Sequence, residues 1–176
     1  MKKYIFKNIT DFEPEHIFEC GQCFRWQKQE DGSYTGVVNF GVMNVKKNNS
    51  DVIVTGEFIK DEKYVKDLVK DYLDLNVDYS KIKPIISKND KNMKEAIKFG
   101  YGIRILNQDP WEMLISYIIS AANNIPRISK TIENISKRFG KKVSLSDKEN
   151  EKLTGKKEAR EYYLFPSPKE LSKSKV

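Results

Sequence analysis

The chain has 176 residues, of which 39% are hydrophobic and 11% aromatic, so it is not disordered throughout. Lysine and arginine exceed aspartate and glutamate by 32 to 25, which gives a net charge of +7. No apolar run approaches the roughly 20 residues of a membrane span, and the apolar part of "MKKYIFKNIT" is too short for a signal peptide. A cytoplasmic protein without a membrane is the expectation. Two cysteines do not make a secreted disulfide framework.

Residues 4–57 read as strands. "FRWQKQEDGSYTGVV" holds two extended runs about an Asp31-Gly32 turn, a hairpin signal. "VMNVKKN" and "DVIVTGEF" continue the meander, with "NNSD" between them. The period then changes. Tyr64, Val65, Leu68, Val69, Tyr72 and Leu73 recur at helical spacing. "NMKEAIKFG" predicts a second helix ending at Gly100, a suitable C′ residue.

"DPWEMLISYIISAANN", residues 109–124, carries a helix start: Asp109 as cap, Pro110 at N1, and Glu112 placed as in a capping box. Met113 to Ile119 is apolar on nearly all sides, which predicts a helix buried against later helices and, without them, one with exposed apolar faces. "IPRISKTIENISKRFG" repeats isoleucine at 125, 128, 132 and 135 and closes on Gly140. "KKVSLSDKENEKLTGKKEAREYY" reads as a long loop or a weak helix, "FPSPKEL" as a turn into a helix, and the last seven residues as loose.

The predicted fold class is α+β. An antiparallel sheet with flanking helices occupies residues 1–105, and residues 106–176 begin a helical domain. The charge follows this division. Residues 127–176 hold 14 basic and 7 acidic residues, so the first 126 hold 18 of each and the whole excess lies in the last 50. A basic segment beside a neutral one suits a polyanion, whose phosphates exchange condensed counterions for lysine and arginine. The other reading is a solubilising tail.

Three features invite chemistry. Cys20 and Cys23 form a C-x-x-C, but the motif runs into an expected strand rather than a helix N-terminus, where a redox thiol is activated. A zinc site needs about four ligands, and the chain adds only His16, so no metal is expected. Asn123 and Asn124 end an apolar helix, where an amide caps the helix or reads a base edge. Arg127 follows as a phosphate or base contact, or as a plain surface arginine. Phe24, Arg25 and Trp26 read as a core pair on one strand face with a surface arginine on the other.

"GQCFRW" and "GIRILNQDPWEMLISYIISAANNIPRI" resemble two signatures of the 8-oxoguanine DNA glycosylase/AP lyase family, and "FPSPKEL" its F-P-S landmark. The three blocks occur in the family's order. The resemblance implies an N-terminal antiparallel sheet domain like half a TATA-binding protein. The first helices of a helix-hairpin-helix glycosylase domain would follow. It implies excision of oxidised guanine from duplex DNA after the nucleotide is flipped out, then cleavage at the abasic site, without a small-molecule cofactor. Gly21 matches the glycine whose carbonyl accepts N7–H of the lesion, and Gln22 and Phe24 belong to that base-binding strand start. Arg25, Trp26 and Asp109 match its structural support. Asn123 and Asn124 match the last two of the family's asparagine run, and Arg127 matches the arginine on the cytosine opposite the lesion. Ala122 stands where relatives carry the asparagine that fills the hole left by the flipped base.

The family's hairpin, L-P-G-V-G-x-K, supplies the catalytic lysine. None of the nine glycines, at 21, 32, 36, 41, 56, 100, 102, 140 and 155, belongs to such a hairpin. The chain is therefore read as the N-terminal portion of the enzyme, inactive by itself. The alternatives are a non-enzymatic DNA-binding module, which a downstream hairpin lysine would exclude, and a thiol redox protein, which an unimpaired Cys23→Ser variant would exclude.

Overall fold

A computed structural model describes residues 1–157 and 160–173. In chain order the elements are β1 (Lys2–Phe6), α1 (Pro14–Phe18), β2 (Trp26–Lys28), β3 (Tyr34–Val38), β4 (Gly41–Asn48), β5 (Asp51–Phe58), α2 (Glu62–Tyr72), α3 (Tyr79–Ile86) and α4 (Lys91–Phe99). Then follow α5 (Pro110–Ser120), α6 (Ile125–Phe139), β6 (Lys142–Val143), α7 (Asp147–Thr154), β7 (Tyr162–Tyr163) and α8 (Pro168–Leu171). The first five strands form one antiparallel sheet in the order β1-β5-β4-β3-β2, the α+β architecture expected.

The β2–β3 hairpin turns at Asp31-Gly32, where Gly32 takes φ +77°. Lys46 and then Ser33 hold the Asp31 carboxyl down to about 2. Period-two alternation gives the sheet two faces. On one, Tyr34, Val38, Met43, Val45, Val52 and Val54 meet Ile17 and Phe18 of α1 and Val65, Val69 and Tyr72 of α2. Gly36 lies on this face beneath the Trp26 indole; a Cβ there would sit 2.3 Å from the ring. The other face is covered from far along the chain. Val42 packs with Val143, Leu153, Tyr162 and Leu164. Asn44 Nδ2 and Thr35 Oγ1 both donate to the Leu153 carbonyl, at 3.0 and 2.5 Å.

Several expectations change. Residues 14–18 are a helix inside the stretch read as strand, since a five-residue turn begun by Pro14 is too short to show a period. α3 was not legible because Pro84 stands in its last turn. Gly100 ends α4 at φ −101°, so it is not a left-handed cap. Residues 142–163 are not a loop or a single helix but β6, α7 and β7; residues 158–159 lie outside the described residues. Among the loose last seven, residues 174–176 also lie outside them, while α8 runs to Leu171.

In α5 the exposed apolar faces agree with the expectation for the helix without later partners, and the correction is at Glu112. Asp109 caps the helix by accepting from the Glu112 N–H at 2.9 Å. The capping box is only half made, because the Glu112 carboxylate turns inward to Arg25 instead. Leu114, Tyr117 and Ile118 are 52%, 77% and 60% exposed, and the buried residues of the helix are Glu112 and Ser116. α5 thus buries Glu112 and Ser116 most deeply, half-buries Trp111, Met113, Ile115 and Ile119, and exposes Leu114, Tyr117 and Ile118.

Candidate nucleic-acid interface

The first part of the site is the turn after α1. Gly21 is exposed and takes φ +86°, in the region that favours glycine, and nothing lies within 4 Å of where a Cβ would be. Its neighbour is fixed hard. The Gln22 side chain donates to the carbonyls of Ile17 and Arg104, both at 2.9 Å, and accepts from the Leu106 N–H at 2.9 Å. The Gln22 carbonyl accepts from Gln108 Nε2 at 2.6 Å. Both amide protons and the amide oxygen are therefore engaged with the backbone. Gln22 positions Gly21, and its side chain is not a free base contact.

Beyond it, Trp26 stacks on Phe18 at 4.0 Å and donates its indole N–H to the Tyr72 hydroxyl at 3.0 Å. Phe24 is half-buried in a cleft of about 530 Å³ that Ser129 and Lys137 of α6 and Tyr163 of β7 also line. Arg25 is not the surface residue that strand alternation predicts. β2 begins only at Trp26, and the Arg25 side chain is 10% exposed. Its guanidinium donates to the Tyr163 carbonyl and stands 3.6 Å from the Glu112 carboxylate. Burial pushes the Glu112 carboxyl up, opposed by Arg25, and pushes the Arg25 guanidinium down, opposed by Glu112.

The two cysteines are both free and differ in exposure. The Cys23 thiol is buried against the Phe18 carbonyl, and burial pushes it far up, away from thiolate reactivity. Cys20 is exposed and donates to the Ile17 carbonyl.

The second part is the α5–α6 turn. The Asn124 side chain caps α6 by accepting from the Arg127 N–H at 3.1 Å. Asn123 accepts from the Asn124 N–H at 3.0 Å and donates to the Ile119 carbonyl at 3.2 Å. The Asn124 oxygen thus caps α6, while Asn123 braces the turn, its oxygen on the Asn124 N–H and its nitrogen on the last turn of α5. Arg127 is exposed in the first turn of α6, which carries no acidic residue. A helix N-terminus and an arginine together make an anion-facing end. Ala122 is exposed at φ +51°, where a Cβ-bearing residue other than asparagine or aspartate is strained. Ala122→Asn is expected to raise stability by about 0.5–1 kcal/mol, read as a higher thermal midpoint; a lower one would contradict the strain.

The structure joins Gly21, Gln22, Phe24, Arg25, Trp26 and Asp109 at the N-terminal end of α5. It sets Asn123, Asn124 and Arg127 beyond the other end. Eleven residues at 1.5 Å per residue separate them by about 16 Å. Sequence reasoning missed Arg104, Gln108 and the inward role of Glu112. Their partners lie from 27 to 94 residues away in the chain, so no local pattern announced them.

A sheet carrying a helix pair of this kind defines a fold shared with DNA glycosylases. The 3-methyladenine DNA glycosylase of Archaeoglobus fulgidus superposes with a TM-score of 0.64 at 13% identity, a likeness of fold alone. The family model for the N-terminal domain of 8-oxoguanine DNA glycosylase matches residues 4–114, and the chain belongs to that family. The 8-oxoguanine glycosylase/lyase of Clostridium acetobutylicum in its apo form is 39% identical with a TM-score of 0.84, over 99% of this chain and 56% of that one. The same enzyme with double-stranded DNA containing cytosine opposite 8-oxoG gives 40% and 0.83, over 97% and 53%. The N-glycosylase/DNA lyase OGG1 of Arabidopsis thaliana is 29% identical over 121 residues, 68% of this chain and 33% of the plant protein. The chain thus spans about a third of this curated relative and little more than half of the solved ones. Among the described residues no helix is long and apolar enough to cross a membrane.

Proposed function

We propose that this chain is the lesion-reading part of a base-excision repair enzyme that flips 8-oxoguanine out of duplex DNA, excises it and nicks the abasic site. Its partner is double-stranded DNA carrying oxidised guanine. Its place is with the genome, in the cytoplasm, and on the nucleoid if the cell is bacterial. Family membership supports the activity. The observation that carries the reading is Gly21, an exposed backbone in a glycine conformation beside the fully hydrogen-bonded Gln22. A pinned carbonyl is what a one-proton test needs, since 8-oxoguanine carries N7–H and guanine has an acceptor there. A mobile carbonyl could turn away from guanine and lose the discrimination.

In this reading Gln22 positions Gly21, and Phe24 shapes the neighbouring cleft. Asn123 and Asn124 fix the α5–α6 turn, and Arg127 reaches the cytosine opposite the lesion. Residues 1–105 form the sheet domain and 106–176 begin the helical one, with 143–164 returning to the sheet. The hairpin lysine and its aspartate are not among the 176 residues, so this polypeptide alone performs neither chemical step.

The test compares binding of 8-oxoguanine:cytosine and guanine:cytosine duplexes by fluorescence anisotropy, with borohydride added in a parallel incubation. The chain is expected to prefer the lesion duplex and to form no covalent adduct. Gly21→Ala should stay folded, losing about 1 kcal/mol for its left-handed φ, and bind both duplexes alike. A trapped adduct would sink the inactivity reading; an unchanged preference in Gly21→Ala, which keeps the carbonyl and adds only a Cβ, would sink the close approach of the lesion to the Gly21 backbone.

A further inference from the structure

Helices ordinarily turn an apolar stripe to the core, and a buried carboxylate carries a desolvation cost unless it is paired. In α5 the most deeply buried side chains are instead polar, Glu112 at 8% and Ser116 at 2% exposed, while Trp111, Met113, Ile115 and Ile119 are half-buried. The pairing of Glu112 is loose for its burial. Arg25 Nη1 stands 3.6 Å from Oε1 and makes no hydrogen bond among the described residues. A buried pair of this kind adds little to stability over apolar residues of the same volume; its best-attested use is to fix one register among alternatives. The two segments whose register it fixes are those of the proposed DNA surface. Arg25 lies four residues after Gly21. Glu112 lies in the first turn of the helix that ends at the Asn123–Arg127 turn. The other ties from the Gly21 turn, made by Gln22, reach residues 104–108 and stop short of α5.

We propose that Glu112 is a positioning residue for base selection: by facing Arg25 across a buried 3.6 Å ion pair it sets the Gly21 turn in register with α5, so that lesion-side and opposite-base-side contacts meet the duplex as one frame. The proposal rests on the reading of Gly21 and Arg127 as DNA contacts. Its test uses the whole chain with two variants. Glu112→Gln keeps the shape and removes the charge. Arg25→Met with Glu112→Met removes both charges and keeps the volume.

Hydrogen exchange and duplex affinity are read on each. Exchange at 19–25 and at 121–127 should rise together by about tenfold while α2 stays protected. The preference for the lesion duplex should fall by about fivefold, with affinity for the undamaged duplex unchanged. Unchanged exchange in either segment overturns the proposal, and so does an unchanged preference. Loss of α2 protection in both variants also overturns it, because Glu112 would then be a core element only. Equal binding of the two duplexes by the unaltered chain is a different result. It refutes the lesion-reading role of Gly21, and the exchange data alone then decide whether Glu112 couples the two turns.

Discussion

Replacing Arg104 by lysine should lower the stability of the chain by about 3–5 kcal/mol, a large share of what a domain of this size has. Arg104 is 3% exposed and lies between two isoleucines, so nothing local marks it as a hub. Its Nε donates to the Asp11 carbonyl at 3.0 Å, Nη1 to the carbonyls of Asp74 and Val77 at 2.6 and 3.1 Å, and Nη2 to that of Thr10 at 2.9 Å. The guanidinium also stacks 4.6 Å from the Tyr79 ring. Four of its five N–H groups thus close two separate loops, the one before α1 and the one between α2 and α3. Burial pushes this guanidinium down, yet an arginine stays charged in proteins, so the donors remain. Lysine offers one nitrogen with three donors and no planar fork, and it is more strongly hydrated. It would leave carbonyls buried without partners. Urea denaturation followed by circular dichroism gives the measurement. A loss under about 1 kcal/mol would mean that the loops hold without the fork.

Gly102→Ala is expected to cost about 3 kcal/mol or more. The reason is opposite to that at Gly21. Gly102 needs no left-handed φ, but a Cβ there would lie 2.1 Å from Glu13 Cβ and 2.4 Å from Glu13 N. The two backbones approach this closely because the Glu13 N–H donates to the Gly102 carbonyl at 3.0 Å, and the Gly102 N–H to His16 Nδ1 at 3.1 Å. The obstacle is backbone, which has little room to give. Alanine at 102 must push α1 off its seat, whereas alanine at 21 meets only its own dihedral preference. Thermal midpoints of the two variants, measured side by side, should differ by roughly 5 °C or more. Equal midpoints would refute the distinction between a glycine kept for contact and one kept for conformation.

Much of the sheet was legible because each strand alternates and each turn carries its own residues, as with Asp31-Gly32. The start of α5 was legible because capping is local: Asp109, Pro110 and a donor three residues on. What escaped was decided at a distance. Arg25 read as exposed because alternation assumes a strand, and the strand begins one residue later. Which face of α5 turns inward escaped because a hydrophobic sequence cannot say which face its neighbours take. Among the described residues of the polar stretch 141–164 the buried apolar ones are Val143, Leu153, Tyr162 and Leu164, too sparse among many charges for a period. The site followed the same division. The motif residues were visible, but Gln22 is held by residues 82 to 86 positions away, and Glu112 works through an arginine as remote.

The covering of the second sheet face by residues 143–164 has a consequence during synthesis. Thr35 and Asn44 wait for the Leu153 carbonyl, 118 and 109 residues later. At translation rates of about 5–20 residues per second, the meander can pair and close over α1 and α2 while its back stays wet for roughly 5–25 s. Val37 and Val42 are then open to any passing sheet or chaperone. Thr35 and Asn44, set among them, keep that back hydrated. The same two side chains that later tie α7 down make the unfinished sheet less adhesive while the ribosome catches up.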